Sequence, residues 1–166
     1  MRKAKIIDTN VLLVANGLDT HIDILWQEIC INFLKDVRKN GIFTINDSLE
    51  ILSEYNNKLS HKLVPYRNAI LKYIQDHQYD DTKVLRVSIT QNILPSGDLW
   101  YNEIDSLFLS PLLKTDTSDR KFIATHHAST CQFPIVNATD SDWKDLQNNM
   151  KLQSIDPKLL LIEELL

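Results

Sequence analysis

Short apolar runs alternate with polar clusters that open stretches of three-and-four spacing, a rhythm that predicts strands followed by helices. Ala4 to Asp8 reads as a buried strand, and Asp8-Thr9-Asn10 supplies cap-forming residues before the apolar turn Val11-Leu12-Leu13-Val14. From Ile22 to Val37, the residues Ile22, Leu25, Trp26, Ile29, Phe33, Leu34 and Val37 recur at helical spacing, and Asn40-Gly41 closes the run. Ile42-Phe43-Thr44-Ile45 is a second short strand. A helix beginning near Asn46 or Asp47 turns Leu49, Leu52, Tyr55 and Leu59 toward a core, with Glu50 at capping-box distance from Asp47. After Pro65 a further helix runs to about His77 with Ile70, Leu71 and Ile74 on its apolar side.

Between Asp80 and Lys114 the pattern is weakest. Val84-Leu85-Arg86-Val87 fits strand or helix, Pro95-Ser96-Gly97 is a turn, and Trp100 to Leu109 fits a short helix. Thr115 to Asp119 is a polar helix start ahead of Phe122 and Ile123. Phe133 to Asn137 then reads as a strand, and Thr139-Asp140-Ser141-Asp142-Trp143 opens another helix. Leu152 to Ile155 is expected as the last strand and Pro157 to Leu165 as the last helix. Strands alternating with helices imply a parallel sheet covered on both faces.

At 166 residues, 43% of them hydrophobic, the chain suits one domain spanning 1–166. There is neither a membrane-length apolar run nor a secretory leader pattern, so a cytoplasmic protein is expected. Cys30 and Cys131 lack metal or disulfide spacing and read as reduced buried thiols. A net charge of -4 argues against broad electrostatic attraction to nucleic acid. It leaves room for a local basic surface drawn from Arg2, Lys3, Lys58, Lys62, Arg67, Arg120 and Lys121.

Carboxylates stand at the ends of the apolar strands and at helix starts: Asp8, Glu54, Asp119 and the pair Asp140/Asp142. Each has an ordinary reading as a helix cap, worth about 0.3–1 kcal/mol. Asp8 resists that reading, because it follows two isoleucines on a central strand, where an unpaired charge is costly to desolvate. Glu50 and Glu54 share a helix face; Glu50 has a cap to serve, whereas Glu54 does not. Lys58 and Lys62 extend the row from Glu54 into a basic track suited to a phosphate backbone. Asp119 is better fixed than Asp116, and Asp140 and Asp142 are equal candidates.

His126 and His127 are adjacent on a helix and face apart, so they make no two-histidine metal site. Gly-rich phosphate loops, nucleophile elbows and zinc spacings are all absent. An oxygen-only ligand set suits Mg²⁺ or Mn²⁺, ions that activate water and stabilise charge on a phosphoryl group. A phosphohydrolase of the haloacid dehalogenase pattern fits less well, because position 10, where that pattern has a second aspartate, is Asn10.

Ile6-Ile7-Asp8-Thr9-Asn10-Val11-Leu12 resembles the opening motif of PIN-domain nucleases, including the VapC-type toxins. Ile51-Leu52-Ser53-Glu54-Tyr55 is similar to the second acidic motif of that family, Asp119 to Ala124 to its third, and Ile135 to Trp143 to its fourth. The resemblance implies a three-layer α/β/α sandwich with a central parallel sheet and a metal-dependent endoribonuclease acting on single-stranded RNA with water as nucleophile. Mg²⁺ or Mn²⁺ would be held by Asp8, Glu54, Asp119 and Asp140 or Asp142, with Thr9 or Asn10 steadying the Asp8 loop or a water. The run Asn137 to Asp142 is longer than the usual fourth motif. That length leaves the fourth ligand open between Asp140 and Asp142, and the acidic net charge implies a partner that completes the substrate surface: an antitoxin, an ATPase partner or a second copy of the chain. A PIN-like binding subunit without turnover is the alternative. Asp8→Asn is expected to abolish RNA cleavage and leave the fold intact, Glu54→Gln to act alike, and Glu50→Gln to affect chiefly stability.

Overall fold

Ile6 and Ile7 are consecutive and both fully buried. That is possible only on a strand covered on both faces, and Ala4–Ile7 (β1) is the middle strand of a five-stranded parallel sheet. The computed structural model describes residues 3–18, 23–59, 69–112 and 116–166. The other strands are Ile42–Asn46 (β2), Val84–Val87 (β3), Gln91–Ile93 (β4), Leu99–Tyr101 (β5), Ile135–Asn137 (β6) and Ile162–Glu164 (β7). Among the described residues the α-helices are Thr9–Ala15 (α1), Ile24–Asn40 (α2), Glu50–Leu59 (α3), Ala69–His77 (α4), Leu109–Leu112 (α5), Arg120–Ala128 (α6) and Asp142–Leu152 (α7). Together they form the expected three-layer α/β/α sandwich.

The sheet order is β3-β2-β1-β6-β7, while β4 and β5 form a separate antiparallel hairpin. Ile6 lies opposite Thr44 on β2 and Ile135 on β6, and Ile7 lies opposite Val136. The chain starts in the middle, builds outward through β2 and β3, then returns to the far side of β1 with β6 and β7. Strand order therefore reverses between β1 and β6, and in open α/β sheets a crevice forms beyond the carboxyl ends of such a pair. Asp8 and Asp140 follow those two ends.

Local chemistry explains most element boundaries. Asp23 accepts from the backbone N–H of Leu25 to start α2. Gly41 ends it, because a Cβ there would sit 3.1 Å from the Val37 carbonyl and 3.2 Å from that of Lys3. Asn46 at the end of β2 accepts from Ile51 N–H, so α3 starts at Glu50, three or four residues later than the capping-box spacing suggests.

Other expectations are corrected. Leu152 to Ile155 is the end of α7 and a turn with Ser154 at φ 57°, not a strand. Pro157–Leu159 is a single 3-10 turn capped by Asp156, and the last strand is Ile162–Glu164, paired with β6 at Ile135↔Ile162. The Leu-rich tail has helical propensity, but the open edge of β6 offers it backbone partners and burial, and tertiary pairing wins. Helix α2 is the second correction. Cys30, Leu34 and Val37 are buried, but Ile24, Leu25, Trp26 and Ile29 are exposed, so the predicted apolar stripe enters the core only in its later turns; Ile22 lies outside the described residues. The weak middle of the chain resolves into β3, the β4–β5 hairpin and a 3-10 turn at Ser106–Phe108 leading to α5.

Phe43, Tyr55, Phe122, Trp143 and their neighbours form one continuous apolar cluster. Among the described residues no helix is long and apolar enough to cross a membrane.

Candidate functional site

Asp8 leaves β1 in extended conformation and caps α1: one carboxylate oxygen accepts from Asn10 N–H at 3.1 Å. The other accepts from the indole N–H of Trp143, a residue of α7. Only 5% of Asp8 is exposed. Burial pushes its carboxyl up to about 7, opposed by the two hydrogen bonds and reinforced by the charges of Asp140 and Glu54. Behind it, the buried Tyr55 hydroxyl donates to the Ile7 carbonyl and ties α3 to the end of β1.

Asp119, Asp140 and Asp142 converge, each offering a carboxylate oxygen within 4.8 Å of the others. Asp119 stands just before α6 without capping any backbone N–H. Its carboxyl is raised to about 8, by burial first, then by Asp8, Asp140 and Asp116, with Lys121 opposing. Asp140 and Asp142 follow β6, and both place a carboxylate oxygen within reach of the same point as Asp119. One oxygen of Asp140 accepts from Asp142 N–H at 2.9 Å. The exposed Asp142 carboxyl is raised chiefly by its neighbour Asp140. Asp116 instead caps its own turn by accepting from Ser118 N–H.

Asn10 and Asn137 hold the two strand-end loops together. Asn10 donates to the Asn137 side chain and accepts from Ala138 N–H, each at 2.9 Å. Asn137 in turn donates to the Asp140 carbonyl and accepts from its N–H. These bonds fix the distance from the end of β1 to the carboxylates after β6.

Glu54 sits differently. Thr9 donates its hydroxyl to one oxygen and the Lys121 ammonium pairs with the other, so Glu54 is neutralised and stands beside the three-carboxylate group rather than in it. Lys121 also donates to the Ser118 carbonyl. Glu54, Lys58, Tyr101, Ser118 and Lys121 line an open groove of about 410 Å³. Lys58 is exposed there, whereas Lys62, the other lysine of the expected track, lies outside the described residues.

Three further expectations change. Arg120 is not available to phosphate: it is buried, donates to the Leu99 and Leu112 carbonyls and lies over the Trp100 ring. Lys3 precedes β1, at the opposite end of the sheet from Asp8. Arg2 and Arg67 lie outside the described residues. Asp8→Asn also cannot be silent for the fold, because both oxygens of Asp8 accept and an amide would turn its NH₂ toward a donor.

Glu50 is structural, accepting from Ser48, Asn46 and the Tyr101 hydroxyl. His126 is bonded between the Phe133 carbonyl and Leu161 N–H, and His127 between the Leu159 carbonyl and Asp105 N–H. Each ring thus uses one nitrogen as donor and one as acceptor, the pattern of a neutral imidazole, and burial lowers both pKa values.

Trp143, Asn137 and Lys121 were not assigned these roles from sequence. Trp143 had a signal: a buried indole needs an acceptor, and this one follows the Asp-Ser-Asp run directly.

The chain matches no protein-family model, no curated protein and no solved structure. The site's meaning therefore rests on its own chemistry. Its donor set is oxygen-only, and mutual repulsion of the carboxylates, felt in the raised values of Asp119 and Asp142, is what a bound cation would relieve. The residues present fit Mg²⁺ or Mn²⁺.

Proposed function

We propose that the protein is a metal-dependent endoribonuclease of the PIN type, cutting single-stranded RNA at the carboxylate cluster. The observation that carries this reading is the convergence of Asp119, at the start of α6, with Asp140 and Asp142, after β6, on one point near the β1/β6 switch. These three carboxylates would hold Mg²⁺ or Mn²⁺, with Asp8 and Glu54 adjoining them. Bound there, such an ion supplies Lewis acidity toward a phosphoryl oxygen and lowers the pKa of water.

The chain's own groups do the rest. Trp143 and Asn10 hold the Asp8 carboxylate in one orientation, where burial and, after it, the charges of Asp140 and Glu54 raise it. Thr9 and Lys121 fix Glu54, and the exposed Lys58 offers a cation at the groove where a phosphate backbone would lie. An antitoxin, an ATPase partner or a second copy of the chain would complete the substrate surface; a cytoplasmic location goes with this role.

The neutralisation of Glu54 favours a second reading, a PIN-like subunit that binds metal and RNA without turnover. An end-labelled single-stranded RNA, incubated with Mn²⁺ or with chelator, separates the two. Internal cleavage that needs Mn²⁺ and is lost in Asp140→Asn is the expected result. Mn²⁺ binding by calorimetry with intact RNA across diverse sequences would overturn turnover and leave the subunit.

A further inference from the structure

A second cavity, of about 360 Å³, takes in Asp140 of the carboxylate cluster, and its lining also includes Ser141, Lys144, Gln147, Glu164 and Trp26. Trp26 comes from the first turn of α2, far away in sequence, and is 42% exposed. The other tryptophans, Trp100 and Trp143, are buried. A partly exposed tryptophan at a cavity that also contains a candidate catalytic carboxylate offers a flat apolar face that a ligand can cover.

The remaining walls narrow the occupant. Lys144 is the third residue of α7, and among the described residues it forms no ion pair. Glu164 spends one oxygen on Asn137. With Gln147 and Ser141, the lining offers donors and acceptors beside one aromatic plane. A purely apolar partner would strand these polar groups, whereas a nucleobase presents both a π-face and a hydrogen-bonding edge.

We propose that this cavity is a nucleotide subsite in which Trp26 stacks one base of the RNA and Lys144 contacts the adjoining phosphate. The strand then passes from the Trp26 cavity to the carboxylate cluster through Asp140, which belongs to both. Trp26 and Lys144 are positioning residues that set where the phosphodiester lies against Asp140. This inference rests on the nuclease reading for its RNA ligand, but the binding it describes needs neither metal nor turnover.

The test uses the full chain in chelator with a short 2′-O-methyl oligoribonucleotide, which binds without being cut. Because Trp26 is the exposed tryptophan, base stacking should quench indole fluorescence, and anisotropy of a labelled oligonucleotide should give the affinity. Trp26→Ala is expected to weaken binding about tenfold or more, Trp26→Phe to keep most of it, and Lys144→Gln to weaken it and flatten the salt dependence. Unquenched fluorescence, or equal affinity for the parent and Trp26→Ala, would overturn the proposal. So would a Trp26→Ala change in sedimentation with oligonucleotide affinity unchanged, which would make the α2 face a protein interface. Quenching without any Mn²⁺-dependent cleavage keeps the subsite and sinks the nuclease reading; cleavage without quenching does the reverse.

Discussion

Replacing Asp119 by asparagine should stabilise the metal-free protein at high pH and do nothing of the kind at low pH. In the fold this carboxyl titrates at about 8 instead of the ordinary 3.8, because burial and the charges of Asp8, Asp140 and Asp116 disfavour the ionised form. Between those values the folded chain holds a proton that the unfolded chain has released, so the unfolding free energy falls as pH rises. At about 1.4 kcal/mol per pKa unit, ionising Asp119 in the metal-free fold at pH ~9 costs on the order of 5 kcal/mol. The neutral amide escapes that cost and resembles the protonated acid in shape. Urea denaturation in chelator at pH ~4 and ~9 measures it, and Asp119→Asn should exceed the parent by at least about 2 kcal/mol at the higher pH and by under about 1 kcal/mol at the lower. Adding Mn²⁺ should reverse the order, since the parent gains binding free energy that the variant, lacking one of three carboxylates, cannot. A parent whose stability in chelator is level from pH ~6.5 to ~9 would refute the argument that these acids are held together against their charge.

Trp143→Phe keeps the ring packing but leaves one buried oxygen of Asp8 without its donor; a loss of about 1–3 kcal/mol in urea denaturation is expected. Asp8→Asn should lose Mn²⁺-dependent cleavage of the end-labelled RNA. Lys121→Met strands the half-buried Glu54 charge and should cost about 1–3 kcal/mol at pH ~7, with Glu54→Gln in the same chain restoring much of it, a coupling that a double-mutant cycle measures. Tyr101→Phe, which takes a hydroxyl from Glu50, should lower stability by about 1 kcal/mol and leave Mn²⁺ affinity by calorimetry unchanged.

The strand-then-helix rhythm was legible wherever a strand is buried on both faces, since such a strand must be apolar at successive positions. That holds for Ile6-Ile7, Phe43 to Ile45 and Ile135-Val136. It failed at the edge: β7 reads as helix from its leucines and exists as a strand because β6 has an unpaired side to cover. It failed again on α2, where spacing records amphipathicity and cannot say which turns meet a neighbour. Asp8, Asp119, Asp140 and Asp142 stood out as acids at strand ends and helix starts, positions set by local pattern. The engagement of Glu54 by Thr9 and Lys121 did not, because its partners come from remote helices.

Hydrophobic periodicity and helix-start chemistry are short-range properties, so the residues alone determined the α/β class, the middle position of β1 and the acids worth watching. Which acids share a point, which one is neutralised by a lysine and which oxygen of Asp8 meets Trp143 depend on strand order and on side chains more than 100 residues apart coming within hydrogen-bond reach, Asp8 and Trp143 being separated by 135. Charge interactions are set by distance and burial in space, and those quantities exist only once the sheet has closed around β1.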